Sequence, residues 1–297
     1  MSKVSNSSAT TAYENNPFYV AIQGIELLFN KAKGVGIFLA ILAGLSLLSS
    51  IPSSFMPATA PAPATETAVN QPVLSDEALA AQNEADWNSF GDGIKQVPVE
   101  AWLIIALIVL VLLAFAILVG FVVQGIMDYT SAQLAAGKEV TFGEAFKATF
   151  ASLWGYAWVM LLAGIKTFLW SLLFIIPGII MAVRYSLAGT AYFATGKKGN
   201  EAIKHSLALT QGAWLTTNAS QFLLPFITFG AAGGLFTPGT KAVLYRQLDA
   251  LTKKGEAKPA AHALSWLVLI LPLVLFGLLA LLILLLVAAF ANYATSV

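Results

Sequence analysis

Cysteine is absent from the chain, which excludes disulfides, thiolate nucleophiles, iron–sulfur clusters and cysteine zinc sites. Histidine is almost as scarce. His205 and His262 lie far apart with no carboxylate or second histidine at ligand spacing, so neither a metal site nor a cofactor is expected. Charged residues make up 10% of the 297 positions against 58% hydrophobic ones, too few to solvate a globular surface of this size. The formal net charge of +1 supplies no clustered basic excess, which argues against a nucleic-acid partner. Ser152, Ser171 and Ser186 have no base in a suitable context, and no motif of a known reaction is present. Enzymatic activity is not expected.

The chain is rich instead in uninterrupted apolar length. Trp102 to Met127 runs twenty-six residues without a charged side chain, and Leu264 to Ala291 is equally clean. A hydrocarbon core roughly 30 Å thick needs about 20 apolar residues as helix, and water-soluble helices seldom stay apolar on every face for so long. The fold class expected is all-α, a polytopic transmembrane helix bundle of 6–7 spans that includes broken or re-entrant helices.

Charge distribution orients the bundle. Thirteen of the sixteen basic residues fall in four segments: Lys3, Lys31 and Lys33; Lys138 and Lys147; Lys197, Lys198 and Lys204; Lys241, Arg246, Lys253, Lys254 and Lys258. The positive-inside rule places these on the cytoplasmic side. Residues 51–100 carry seven acids against Lys95 alone and are placed outside.

Residues 1–33 read as a cytoplasmic tail and an interfacial helix whose apolar positions include Tyr19, Ile22, Ile25 and Leu28. A soluble amphipathic helix packed on another cytoplasmic element is the alternative. Residues 34–51 form the first span. Ala58-Thr59-Ala60 after it imitates a signal-peptidase site, but the long leader and Pro61 favour a retained anchor. Residues 52–98 read as a flexible external loop, Pro/Ala-rich at first, with a short helix started by Ser75 and running through Trp87. Residues 99–128 form the second span. Thr141-Phe142-Gly143-Glu144 has capping-box spacing and starts a helix with Phe142, Phe146 and Phe150 on one face. Trp154 to Ile176 and Ile179 to Thr195 form an apolar hairpin broken at Pro177-Gly178. Glu201 to Thr210 is a short amphipathic helix with His205 on its solvated face. Between Trp214 and Tyr245, breaks at Pro225, Gly230, Gly233, Gly234, Pro238 and Gly239 indicate two short broken helices or a re-entrant pair. A single crossing there, which would invert the end of the chain, is the alternative. Residues 264–291 form the last span.

Lys166 and Arg184 remain inside apolar segments once the loops are assigned. A charge at mid-bilayer costs about 2.5–3.5 kcal/mol on insertion scales, and no acid in the hairpin pairs with either. Two readings stand: both snorkel along their aliphatic stems, or they bind an anionic headgroup or partner helix together with Lys204 and the aromatics Trp154, Tyr185 and Trp214. The acids all fall in loops, helix ends or the external segment, which weakens a secondary-transporter reading. Glycines at the breaks serve close packing more readily than cation binding.

The runs Ile175-Ile176-Pro177-Gly178-Ile179, Arg184-Tyr185-Ser186-Leu187-Ala188, Glu201 to Ser206 and Leu209-Thr210-Gln211-Gly212 resemble a bacterial superfamily. It comprises the YciC-like and DUF975-like integral membrane proteins and the membrane domain attached to some glycerophosphodiester phosphodiesterases. The similarity covers Thr141 to Leu248 and gives residues 141–250 as a membrane module. This chain departs from it at Gly189, where the family often has proline, and at Thr195-Gly196-Lys197-Lys198, which lacks the usual acids. The resemblance implies a six-helix-like module in a bacterial inner membrane that interacts with lipid or organises the membrane. With the charge pattern it gives a multi-pass protein with a cytoplasmic N-terminus and periplasmic C-terminus, acting as scaffold, accessory subunit or lipid-interacting module. The expected partners are membrane lipids, anionic ones included, and a membrane-protein complex or further copies of the chain. The rival class is a channel or transporter built on the breaks from Pro225 to Gly239.

Overall fold

A computed structural model of the chain describes residues 13–49, 98–228 and 233–296, together with 81, 83–85 and 87–89. Eleven α-helices and one 3-10 helix have described bounds, residues 81, 83–85 and 87–89 are also helical, and the described residues contain no strand. The α-helices are α1 (Pro17–Lys31), α2 (Lys33–Ser49), α3 (Val99–Ala135), α4 (Phe142–Ala151), α5 (Leu153–Leu173), α6 (Ile175–Tyr185), α7 (Ala188–Thr195), α8 (Asn200–Thr210), α9 (Trp214–Ile227), α10 (Thr237–Lys254) and α11 (Ala263–Ser296). The 3-10 helix Gly233–Phe236 leads into α10.

Four helical segments are long and apolar enough to cross a membrane: α3, α5, α6 with α7, and α11. The α1–α2 pair makes a fifth if counted as one span, bent by 118° at Ala32. The chain is thus an all-helical membrane protein. Two compact units divide it, residues 1–50 with 121–297 and residues 51–120. In the smaller unit the described residues are the helical positions 81, 83–85 and 87–89, residue 98 and the start of α3, whose residues from Trp102 to Gly120 are exposed. Most of the external-loop expectation, including the Ser75 start and the Ala58–Pro61 stretch, lies outside the described residues, as does Gly230.

Local chemistry sets several helix starts. The Asn16 side chain accepts from the Phe18 amide at 3.0 Å with Pro17 at the first helical position of α1. The capping box of α4 is formed: Thr141 Oγ1 accepts from the Glu144 amide at 3.3 Å and Glu144 Oε2 from the Thr141 amide at 3.0 Å. Its phenylalanines stack along one face at 6.3 and 6.1 Å.

The hairpin turns elsewhere than expected. The break falls at Phe174, whose backbone is extended, and not at Pro177-Gly178. Pro177 sits in the first turn of α6, where its missing N–H would have had no helical partner in any case. Gly178 instead permits close approach: a Cβ there would stand 2.8 Å from the Ser171 Cα on α5. Gly239 is likewise not a break. It lies in the first turn of α10 behind Pro238, and a Cβ on it would stand 1.8 Å from the Gly24 carbonyl oxygen. Gly233 and Gly234 do fall between helices, in the 3-10 turn.

Through this glycine contact α1 packs backbone to backbone on α10, burying Val20, Ala21, Gly24 and Leu28. Its other face leaves Phe18, Tyr19 and Ile22 exposed. The N-terminal helix is therefore seated on another element and also offers apolar side chains outward. Leu28, Val35 and Leu39 continue into a core with Ile126, Met127 and Leu134 of α3. A second cluster joins Val159, Ala163, Tyr185, Ala188 and Ile203.

Gly239→Val should displace α1 and destabilise the fold by about 1–3 kcal/mol or more, as overpacking does. Gly44→Ala, with open space around its Cβ, should leave stability unchanged or slightly raised. Thermal unfolding of the two variants in detergent checks the contrast.

Candidate functional site

Helix α3 does not end at Asp128. It continues to Ala135, and this carries Asp128 into the protein interior with no solvent exposure. A carboxylate accepts up to about four hydrogen bonds, and here four side chains from four helices donate. Lys241 Nζ of α10 lies 2.9 Å and Thr190 Oγ1 of α7 3.1 Å from Oδ1. Tyr156 OH of α5 lies 2.8 Å and Gln124 Nε2, one turn back on α3, 3.3 Å from Oδ2. The Lys241 side chain is itself only 8% exposed. The expectation that the acids fall only in loops, helix ends or the external segment is corrected at Asp128, which stands inside α3, seven residues before its end, and is buried in the protein.

Gly189 is the spatial condition for this cluster. A Cβ there would sit 2.1 Å from Asp128 Oδ2. The absence of a side chain at Gly189 is thus what lets α7 approach the carboxylate. Tyr156 is held by Phe193, with ring centroids 5.3 Å apart.

Beside this cluster lies a chamber of about 290 Å³ lined by Gln124, Met127, Ser186, Gln221, Thr237 and Lys241, with Ala182, Val183, Phe222, Pro225 and Gly234. Gln221 Nε2 donates to Ser186 Oγ at 2.9 Å. Ala182, Val183, Phe222 and Pro225 also line a larger apolar groove of about 780 Å³ between α6, α9 and α11, whose far wall is Val268, Leu269, Pro272 and Leu273. Groove and chamber thus share four wall residues, the groove apolar almost throughout and the chamber mostly apolar with several polar side chains in its lining, the pattern of pockets that take a mostly apolar molecule with a few oriented polar groups.

The expected headgroup residues do not converge. Trp154 is 87% exposed at the start of α5 and Trp214 is half-buried at the start of α9. Tyr185 is buried in the α5–α8 cluster, and Lys204 is exposed on α8. The Lys166 ammonium donates to Asn200 Oδ1, a side-chain partner outside the hairpin that was not foreseen. The Arg184 carbonyl accepts from Ser206 Oγ at 2.7 Å, while its Nε has no partner. Among the described residues no hydrogen bond or ion pair joins any two of these six side chains.

His205 is also differently placed than expected. It is half-buried, with Nε2 3.1 Å from Tyr245 OH and Nδ1 3.4 Å from Lys197 Nζ. Burial, and then the Lys197 ammonium, hold its imidazole below the ordinary histidine pKa.

The residues missed were Asp128, Gln124, Tyr156, Thr190 and Gln221. A signal existed for two of them: Gln124 and Asp128 stand four apart, on one face of a helix. The short run Thr216-Thr217-Asn218 with Ser220 and Gln221 is polar without charge, and all five are buried. Comparison with known protein families, with curated proteins and with solved structures finds no match to this chain.

Removing one member of a buried ion pair leaves an uncompensated charge and typically costs about 3–5 kcal/mol, whereas replacing both is much milder. Lys241→Met should therefore destabilise strongly, and Asp128→Asn with Lys241→Met should recover most of the loss. Denaturant unfolding of the solubilised single and double variants measures this. A loss in the double variant equal to the sum of the losses of Lys241→Met and Asp128→Asn measured singly would show that the two side chains are not energetically coupled.

Proposed function

We propose that this is a non-enzymatic, lipid-interacting module of a bacterial inner membrane. The observation that carries the reading is an apolar groove that shares four wall residues with a smaller chamber bearing polar side chains, with volumes of about 780 and 290 Å³. Such a surface suits an amphiphile, with its hydrocarbon in the groove and its head beside Gln124, Gln221 and Lys241. Arg184, Lys166, Lys204, Trp154 and Trp214 do not line the chamber and take a peripheral role, meeting surrounding headgroups or a partner subunit, while Tyr185 is packed in the core. The likeness of Thr141 to Leu248 to the YciC-like and DUF975-like module supports the same reading.

In this proposal the chain is multi-pass with a cytoplasmic N-terminus and a periplasmic C-terminus. The α1–α2, α9 and α10 segments bring the broken, re-entrant and full spans to 6–7. The channel or transporter reading draws support from one observation. Gly234 and Thr237, within the Pro225–Gly239 stretch, line the chamber that holds the Lys241 end of a buried ion pair.

Ala182 is exposed into the groove and lines the chamber too, so a large side chain there fills space without entering a packed core. Native mass spectrometry of the protein taken from its own membrane should find lipid retained by wild type and at least about tenfold less by Ala182→Trp. Equal retention would overturn the lipid reading. Liposome flux that Ala182→Trp abolishes would favour the transporter instead.

A further inference from the structure

We infer that the chamber recognises a neutral lipid with hydroxyl and ester groups in its head, and that the occupant is a diacylglycerol. The inference rests on the amphiphile reading above and names its chemistry. Lys241 is the only charged residue among those lining the chamber, and Asp128 already neutralises it at 2.9 Å. The chamber therefore presents hydrogen bonds without net charge.

The inventory of unused groups fits such a head. An ammonium carries three donors, and Lys241 spends one on Asp128, leaving two with no partner among the described residues. Gln124 and Gln221 each use an amide N–H, toward Asp128 and Ser186, and their carbonyl oxygens take nothing from the described residues. Two donors and two acceptors on residues that line the chamber are thus left unused among the described residues. The ester carbonyls of a diacylglycerol accept from the ammonium, its free hydroxyl donates to an amide carbonyl, and its acyl chains follow Val183, Phe222 and Leu269 along the groove.

A phosphate in place of that hydroxyl is disfavoured by the same geometry. It would add one or two negative charges within reach of a buried carboxylate and compete with Asp128 for the same ammonium. No second cation lines the chamber to compensate. Specificity here comes from the charge already present, as exclusion of the wrong head as much as attraction of the right one.

The test offers the purified full-length protein an equimolar mixture of diacylglycerol and phosphatidate with identical chains, read by native mass spectrometry. Wild type should retain diacylglycerol at least about tenfold over phosphatidate, and Ala182→Trp should remove that retention. Gln221→Lys places a second ammonium in the chamber and should reverse the preference, a gain that misfolding cannot imitate. Retention of phosphatidate equal to or above diacylglycerol by wild type, abolished by Ala182→Trp, would overturn the diacylglycerol assignment and leave the lipid reading standing. Retention of either lipid that is indifferent to Ala182→Trp would overturn both.

Discussion

A carboxylate buried at the meeting of four helices needs every one of its lone pairs answered, because no water is at hand to answer them. Asp128 meets that requirement with an ammonium, two hydroxyls and an amide drawn from α3, α5, α7 and α10. The arrangement leaves little freedom. Lys241 must come from a helix whose start is pinned by α1, Tyr156 from the first half of the hairpin, and Thr190 from its second half. Interhelical distances across this part of the molecule follow from a handful of hydrogen-bond lengths.

The rest of the interior extends the same logic by milder means. Two buried hydroxyls turn to carbonyls one turn back, Ser131 Oγ to Met127 O at 2.7 Å and Thr210 Oγ1 to Ser206 O at 2.8 Å. Where small residues meet, backbones close on each other, as between α1 and α10 or across the α5–α6 hairpin. Packing of this kind replaces the hydrophobic drive that is weak between helices already surrounded by hydrocarbon. The long apolar helices α3 and α11 bear exposed side chains over most of their length, while the polar interior lies among shorter elements.

Elements governed by composition or by neighbours within one turn were legible before any coordinates. The apolar runs of α3 and α11 declare themselves by length, and the Thr141–Glu144 box by spacing. The hairpin was legible but its turning point was not, since Pro177 is equally at home in a loop and in the first turn of a helix. The Asp128 cluster was hidden for a deeper reason. Its members lie 28, 62 and 113 residues from the carboxylate, and nothing in a neighbouring sequence marks Tyr156, Thr190 or Lys241 as belonging together. Lys241 was disguised further by the basic residues after it, which made it look like one more loop charge. Gly189 is one glycine among many in the sequence, and its meaning requires knowing what stands opposite.

The seating of α1 on α10 has a bearing on how the protein is made. Gly24 leaves the ribosome more than two hundred residues before Gly239, and its partner surface does not yet exist. Contacts so distant along a chain close late. During synthesis the N-terminal helix therefore waits with Val20 uncovered, and the helix that carries Val243 and Leu244 completes a structure whose first helix was delivered at the outset. Biogenesis ends where translation began, and a nascent chain halted before α10 would be long, inserted and still open.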